Sequence, residues 1–167
     1  FSVPQIDVGP LLSSGEEDGV VARDIVAERI KEASSSHGFF QIVNHGWSEE
    51  KRKNVLRETR NVFEIPEYEK RLNLVSNETP GFTRGYITVG GESGSDLNEC
   101  KEAFSYGFDW CPDRHEKKNS LEGPNRWPPS FCGRTIMDEF YEDMTKISEA
   151  VVRGLSLSLG YPAPYLS

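Results

Sequence analysis

Cysteine is scarce in this chain. Cys100, Cys111 and Cys132 form no C-x-x-C pair and are odd in number, which argues against a disulfide framework and for a reducing, cytoplasmic setting. A basic excess is lacking too: 19 Lys plus Arg stand against 27 Asp plus Glu, a formal charge of −8. Such a surface repels phosphate backbones and anionic headgroups, so neither nucleic acid nor a membrane is an expected partner. No apolar run approaches the ~20 residues that cross a bilayer, and Phe39-Phe40-Gln41-Ile42-Val43 is typical of the longest. Residues 1–10 have neither the basic n-region nor the apolar h-region of a secretory leader. Catalytic signatures are equally thin. There is no G-x-S-x-G elbow, and Gly90-Gly91-Glu92-Ser93-Gly94 lacks the Lys-Ser/Thr ending of a phosphate loop. What is present, 36% hydrophobic and 28% charged residues, is the composition of one soluble globular domain and argues against disorder.

Hydrophobic periodicity supplies the elements. Val3 to Val8 alternates and predicts a short strand, followed by a Ser/Gly/Glu loop. Between Gly19 and Ser36, Val21, Ala22, Ile25, Val26, Ile30 and Ala33 recur at steps of three and four, predicting an amphipathic helix that Gly38 ends. Phe39 to Val43 reads as a buried strand with Asn44-His45-Gly46 as its turn. A second helix, with Glu49 and Glu50 suited to its N-terminus, runs to about Glu64, where Ile65-Pro66 breaks it; Glu67 to Leu72 adds a turn. Tyr86-Ile87-Thr88-Val89 and Ala103-Phe104-Ser105-Tyr106 predict an irregular antiparallel pair. Residues 109–130, rich in Pro, Asp, Asn and Lys, form a long surface loop. Ile136, Phe140, Met144, Ile147, Val151, Leu155 and Leu159 then define one long helix with a continuous apolar stripe, stopped at Gly160-Tyr161-Pro162. The expected fold class is α+β, with two or three helices including one long C-terminal helix and a few short strands. No repeat or composition shift marks a boundary, so residues 1–167 are expected to form one domain.

Few side chains suggest chemistry. His37 ends a helix, His45 sits in a turn and His115 in the polar loop, and none has a carboxylate two residues on, so turn and surface roles are favoured over metal binding. An independent enzyme built on His45, His115 and nearby carboxylates is the weakest reading. The basic residues between Lys51 and Arg71 are interleaved with Glu58, Glu64, Glu67 and Glu69, the pattern of a solvated helix face. Arg84, between Phe82 and Tyr86, is the one cation whose setting suggests a ligand carboxylate, although a structural ion pair is the favoured reading.

The run His37-Gly38-Phe39-Phe40-Gln41-Ile42-Val43-Asn44-His45-Gly46 is specific. With Arg84-Gly85-Tyr86, Lys101-Glu102-Ala103-Phe104-Ser105-Tyr106-Gly107, Gly123-Pro124-Asn125-Arg126-Trp127-Pro128 and the terminal helix, in that order, it resembles the N-terminal region of the non-haem Fe(II)- and 2-oxoglutarate-dependent dioxygenases of the isopenicillin N synthase-like group. The resemblance implies a catalytic jelly-roll after residue 167, so that the chain is the N-terminal part of an oxygenase whose barrel is mostly missing. In the family an H-x-D pair with a distant His holds iron and an R-x-S motif binds 2-oxoglutarate. None of these motifs occurs here, so no catalytic or metal-binding residue is assigned and the chain alone is expected to bind neither cofactor and to be inactive. The full-length enzyme would use Fe(II) and 2-oxoglutarate to hydroxylate, desaturate or cyclise a small organic substrate. Arg84, Tyr86, Ile87 and Ser105 resemble family segments bordering the substrate pocket and are the candidate substrate-binding residues; the long helix would support the barrel, the chain's own missing half being its partner. A truncated, non-catalytic relative acting as a binding or regulatory module is the alternative.

Overall fold

The computed structural model describes residues 2–13, 17–75, 84–91, 100–110 and 123–166, with the side chains of residues 17 and 18 excepted. His115, Cys111, Phe82 and most of the predicted 109–130 loop lie outside them. The fold is mixed: five α-helices, four three-residue strands and two 3-10 turns among the described residues. The chain divides into two compact units, residues 1–52 with 142–167, and residues 53–141.

In the first unit β1 (Gln5–Asp7) pairs in parallel with β2 (Gln41–Val43), Ile6 opposite Ile42. Parallel neighbours need a crossover, and α1 (Gly9–Leu12) with α2 (Glu17–Ser36) supplies it. α1 falls where the sequence predicts a loop; Pro10, tolerated in a first helical turn, starts it. The core comprises Ile6, Val8, Leu11, Val26, Ile30, Ala33 and Ala150. Two expectations need correction. The buried face of α2 is Val26, Ala27, Ile30 and Ala33, whereas Val21 and Ile25 are 65% and 54% exposed. The predicted buried strand at 39–43 is instead half-buried, with Phe39 and Gln41 exposed, because among the described residues β2 has only β1 beside it. Gly38, at φ +78°, ends α2 as expected.

The Asn44-His45-Gly46 turn forms for a definable reason. Asn44 takes φ +55°, which Asn tolerates, and Gly46 φ +74°. The Asn44 amide then donates to Asp7 Oδ2 at 2.7 Å while Asp7 Oδ1 accepts the Gly9 N–H, so one carboxylate ties the turn to the start of α1. Those two bonds hold the Asp7 carboxyl below its ordinary value. His45 Nδ1 accepts the Trp47 N–H at 3.2 Å. Ser48 caps α3 (Glu49–Glu64) by accepting the Lys51 N–H.

The 25-residue α5 (Arg134–Ser158) is the long C-terminal helix that the periodicity predicts. Its Ile136-to-Val151-to-Leu155 stripe is only half-buried and Leu159 is exposed, while Met137, Ala150, Gly154 and Ser156 are its buried positions. Within the first unit the bare Gly154 lets Ile30 and Leu11 pack onto the helix backbone: a Cβ there would lie 2.7 Å and 2.8 Å from their Cδ1 atoms. The helix ends as the sequence predicts. Gly160 adopts φ +80°, its N–H bonds the Leu157 carbonyl, and the Tyr161 N–H bonds the Ser156 carbonyl, a Schellman ending.

The second unit is organised by α3, by α4 (Glu67–Lys70) with a 3-10 turn at Arg71–Asn73, and by the antiparallel pair β3 (Gly85–Ile87) and β4 (Ala103–Ser105). Gly85 is required to be glycine, since it sits at φ +117° with the Asn73 carbonyl directly against its Cα. Trp127 stacks between Phe104 and Phe131, with ring centroids 4.9 and 5.1 Å away, and Tyr106 lies 5.0 Å from it. Burial and the charge of Asp138 push the Tyr106 hydroxyl up to about 12.

Candidate functional site

The candidate substrate residues gather on the β3–β4 ribbon, and its register divides them. Directly opposed residues in an antiparallel pair share a face and neighbours alternate. Gly85 faces Ser105, Tyr86 faces Phe104 and Ile87 faces Ala103. Ile87, Ala103 and Ser105 therefore share one half-buried face. Tyr86 belongs to the other, with Phe104 and Glu102, and is 2% exposed.

That second face carries a polar cluster that sequence reasoning missed. The Tyr86 hydroxyl donates to Glu102 Oε2 at 2.6 Å, and Lys70 Nζ donates to the same oxygen at 2.8 Å and to the Phe63 carbonyl at 3.0 Å. Lys70 is 5% exposed, with its ammonium 5.0 Å from the centre of the Tyr86 ring. Burial pushes the Tyr86 hydroxyl up to about 12, assisted by its bond to Glu102. Burial also opposes the charge on Glu102, but the bonds from Lys70 and Tyr86 outweigh it and leave the carboxyl below its ordinary value. The sequence shows only that Glu102 and Phe104, two apart, share a face; that Tyr86 lies opposite Phe104 is set by the strand register.

Arg84 sits at the Ser105 end of the ribbon, where its half-buried guanidinium lies over the bare Cα of Gly107. Gly107 is held there by Asn125, whose side-chain oxygen accepts the Gly107 N–H at 2.9 Å while its amide donates to the Gly107 carbonyl at 2.7 Å. Asp109 accepts the Asn125 N–H and pairs with Arg134. No ion pair joins Arg84 to an acidic side chain among the described residues. Structure thus brings Arg84 and Ser105 to one end, and puts Ile87 on Ser105's face with Tyr86 on the opposite one.

The described histidines assemble no comparable centre. His37 Nδ1 lies 2.7 Å from Ser36 Oγ, and His45 Nδ1 is engaged by Trp47. Among the described residues no three His, Cys, Asp or Glu side chains form a group that could hold a metal ion. No helix of the described residues is long and apolar enough to cross a membrane.

Comparison with known proteins bears on this arrangement. Homoarginine-6-hydroxylase 2-ODD-C23.2 of Arabidopsis thaliana is 32% identical over 98% of this chain and 46% of its own length. Clavatol oxidase claD of Penicillium crustosum is 31% identical over 96% of this chain and 51% of its own. The chain therefore spans about half the length of the relatives it matches. A full-length Neurospora crassa protein, crystallised in complex with alpha-KG and thymine, shares the fold at a TM-score of 0.74 and 21% identity, over 98% of this chain and 50% of that one. Members of the family bind Fe(II) and 2-oxoglutarate. Residues 3–130 match the family model described as non-haem dioxygenase in morphine synthesis N-terminal, and with that match over most of its length the chain belongs to the N-terminal family of the non-haem, 2-oxoglutarate-dependent dioxygenases.

Proposed function

We propose that this chain is the N-terminal half of an Fe(II)- and 2-oxoglutarate-dependent oxygenase that hydroxylates, desaturates or cyclises a small organic molecule, and that a jelly-roll following it holds both cofactors. The observation that carries the reading is the uniform coverage of about half of each relative, coupled with a family match to residues 3–130. The half-buried Ile136-to-Leu155 stripe of α5 is consistent with a further apolar layer in the complete enzyme. Iron and 2-oxoglutarate supply the oxidising power when bound; the part of this chain is to shape the substrate pocket.

In that role the ribbon contributes Ile87 and Ser105 from one face and Arg84 at its end, with Tyr86 buried behind them. A half-buried guanidinium with no acidic partner among the described residues is suited to a carboxylate, which it can grip with two parallel hydrogen bonds. Ile87 offers apolar contact and Ser105 a hydroxyl. Homoarginine, clavatol and thymine, named for the relatives, are the first substrates to offer.

The test is anaerobic addition of Fe(II) and 2-oxoglutarate to the gene's complete protein product and to the 167-residue chain. A visible charge-transfer band in the former alone, with 2-oxoglutarate converted to succinate once oxygen is admitted, is the expected result. A stoichiometric band from the 167-residue chain would overturn the reading, because a cofactor site would then exist within it. No band from either would favour the truncated binding module.

A further inference from the structure

We propose that Glu102 is a positioning residue for the substrate-facing side of the β3–β4 ribbon, acting from behind through Tyr86 and Lys70; the proposal rests on the pocket-bordering role just assigned to that ribbon. A pair of three-residue strands is not self-supporting, so its place is set by what its rear face is fastened to. Glu102 is that fastening. Its Oε2 takes the Tyr86 hydroxyl from β3 and the Lys70 ammonium from α4, and Lys70 in turn holds the Phe63 carbonyl near the end of α3. One carboxylate oxygen thereby joins both strands of the ribbon to two helices. None of the three side chains faces the Ile87 and Ser105 side, so none is a catalytic residue.

The coupling has a physical basis. A buried ammonium that loses its carboxylate must find another partner or draw in water, and Lys70 is buried with Glu102 and the Phe63 carbonyl as its partners. Either response moves the rear of the ribbon, and displacements of about 1 Å at a substrate contact cost about a hundredfold in rate. Shape on the front face therefore depends on a charge pair on the back.

The experiment uses the complete protein product, assayed for 2-oxoglutarate turnover with whichever of homoarginine, clavatol and thymine it accepts. Tyr86→Phe removes only the hydroxyl bond and keeps the ring beneath Lys70; Glu102→Gln keeps the size and removes the charge. Each is expected to raise KM for the organic substrate about tenfold, leave KM for 2-oxoglutarate within about twofold, and increase 2-oxoglutarate consumed without organic product. A fall in melting temperature with KM for the organic substrate unchanged would overturn the proposal and leave a brace of purely structural use. Arg84→Ala and Ser105→Leu separate the two levels of inference. If they leave KM unchanged, the pocket-bordering role itself fails; if they raise it while Tyr86→Phe and Glu102→Gln do not, only the positioning role fails. In the 167-residue chain, backbone amides of Tyr86, Ile87 and Phe104 should exchange hydrogen faster in Tyr86→Phe, and unchanged exchange would sink the proposal without any substrate.

Discussion

Arg84 lies across Gly107, its guanidinium occupying the space a side chain at that position would need. Gly107→Ala is therefore a way to move Arg84 without touching it. The atoms in the way are the far end of a flexible side chain, so the backbone can stay and the guanidinium swings off. Unfolding free energy should change by less than about 1 kcal/mol, the usual range for a change the surroundings can accommodate. KM for the organic substrate in the complete enzyme should rise as it does for Arg84→Ala. Steady-state kinetics on the two variants checks this, and a Gly107→Ala enzyme with unaltered KM would contradict it.

Gly154→Ala sets two effects against each other. Alanine in a helix interior gains about 1 kcal/mol over glycine. Its methyl group, however, would press on Ile30 and Leu11 at 2.7 and 2.8 Å, in a core where Ile30 is fully buried, and such overpacking costs about 1–3 kcal/mol. Overpacking should win, with a net loss of about 1 kcal/mol for alanine and more for valine. Urea unfolding of the 167-residue chain measures the sign, and a stabilised Gly154→Ala would show that the two side chains move aside.

Asn125→Ala should be costlier than its half-exposed position suggests. The side chain satisfies both the N–H and the carbonyl of Gly107, and its removal leaves two part-buried backbone groups without that partner. A loss of about 1–3 kcal/mol is expected, with faster amide exchange at Gly107. Asn125→Asp should be intermediate, because a carboxylate can accept the Gly107 N–H but cannot donate to its carbonyl.

The polar cluster defines a pH window. Glu102 has a carboxyl held below its ordinary 4.5, so the stability it contributes is present above that value and lost as pH falls through the lowered one. Tyr86 has a hydroxyl raised from 10.0 to about 12, so its contribution is present below 10.0 and lost as pH climbs through about 12. Ultraviolet titration of tyrosinate should show a late phase near pH 12 from Tyr86 and Tyr106, and Tyr86→Phe should remove about half of its amplitude. A late phase of undiminished size would mean that Tyr86 is not shielded as described.

Helices α2, α3 and α5 and the glycine stop after α5 were legible in the sequence, because a helix bonds within itself at four residues' separation and its caps are local. The family resemblance was legible for a related reason: its motif residues do fixed local jobs, Asn44 making a left-handed turn, Gly85 admitting the Asn73 carbonyl, Trp127 filling an aromatic stack. Facing was another matter. Periodicity marked the large apolar residues Ile136 to Leu159 as the helix's packing stripe, yet the fold buries the small Ala150 and Gly154, since close approach by Leu11 and Ile30 rewards absence of bulk. Likewise Arg84, Tyr86, Ile87 and Ser105 were all candidates in the sequence, but only strand register could put Tyr86 on the opposite face from Ile87 and Ser105. Its partners Glu102 and Lys70 lie 16 residues from it and 32 from one another. Local bonding decided which segments are helices and where they stop; the long-range pairings that chose the buried face and joined an ammonium and a hydroxyl at one carboxylate oxygen existed only once the chain was folded.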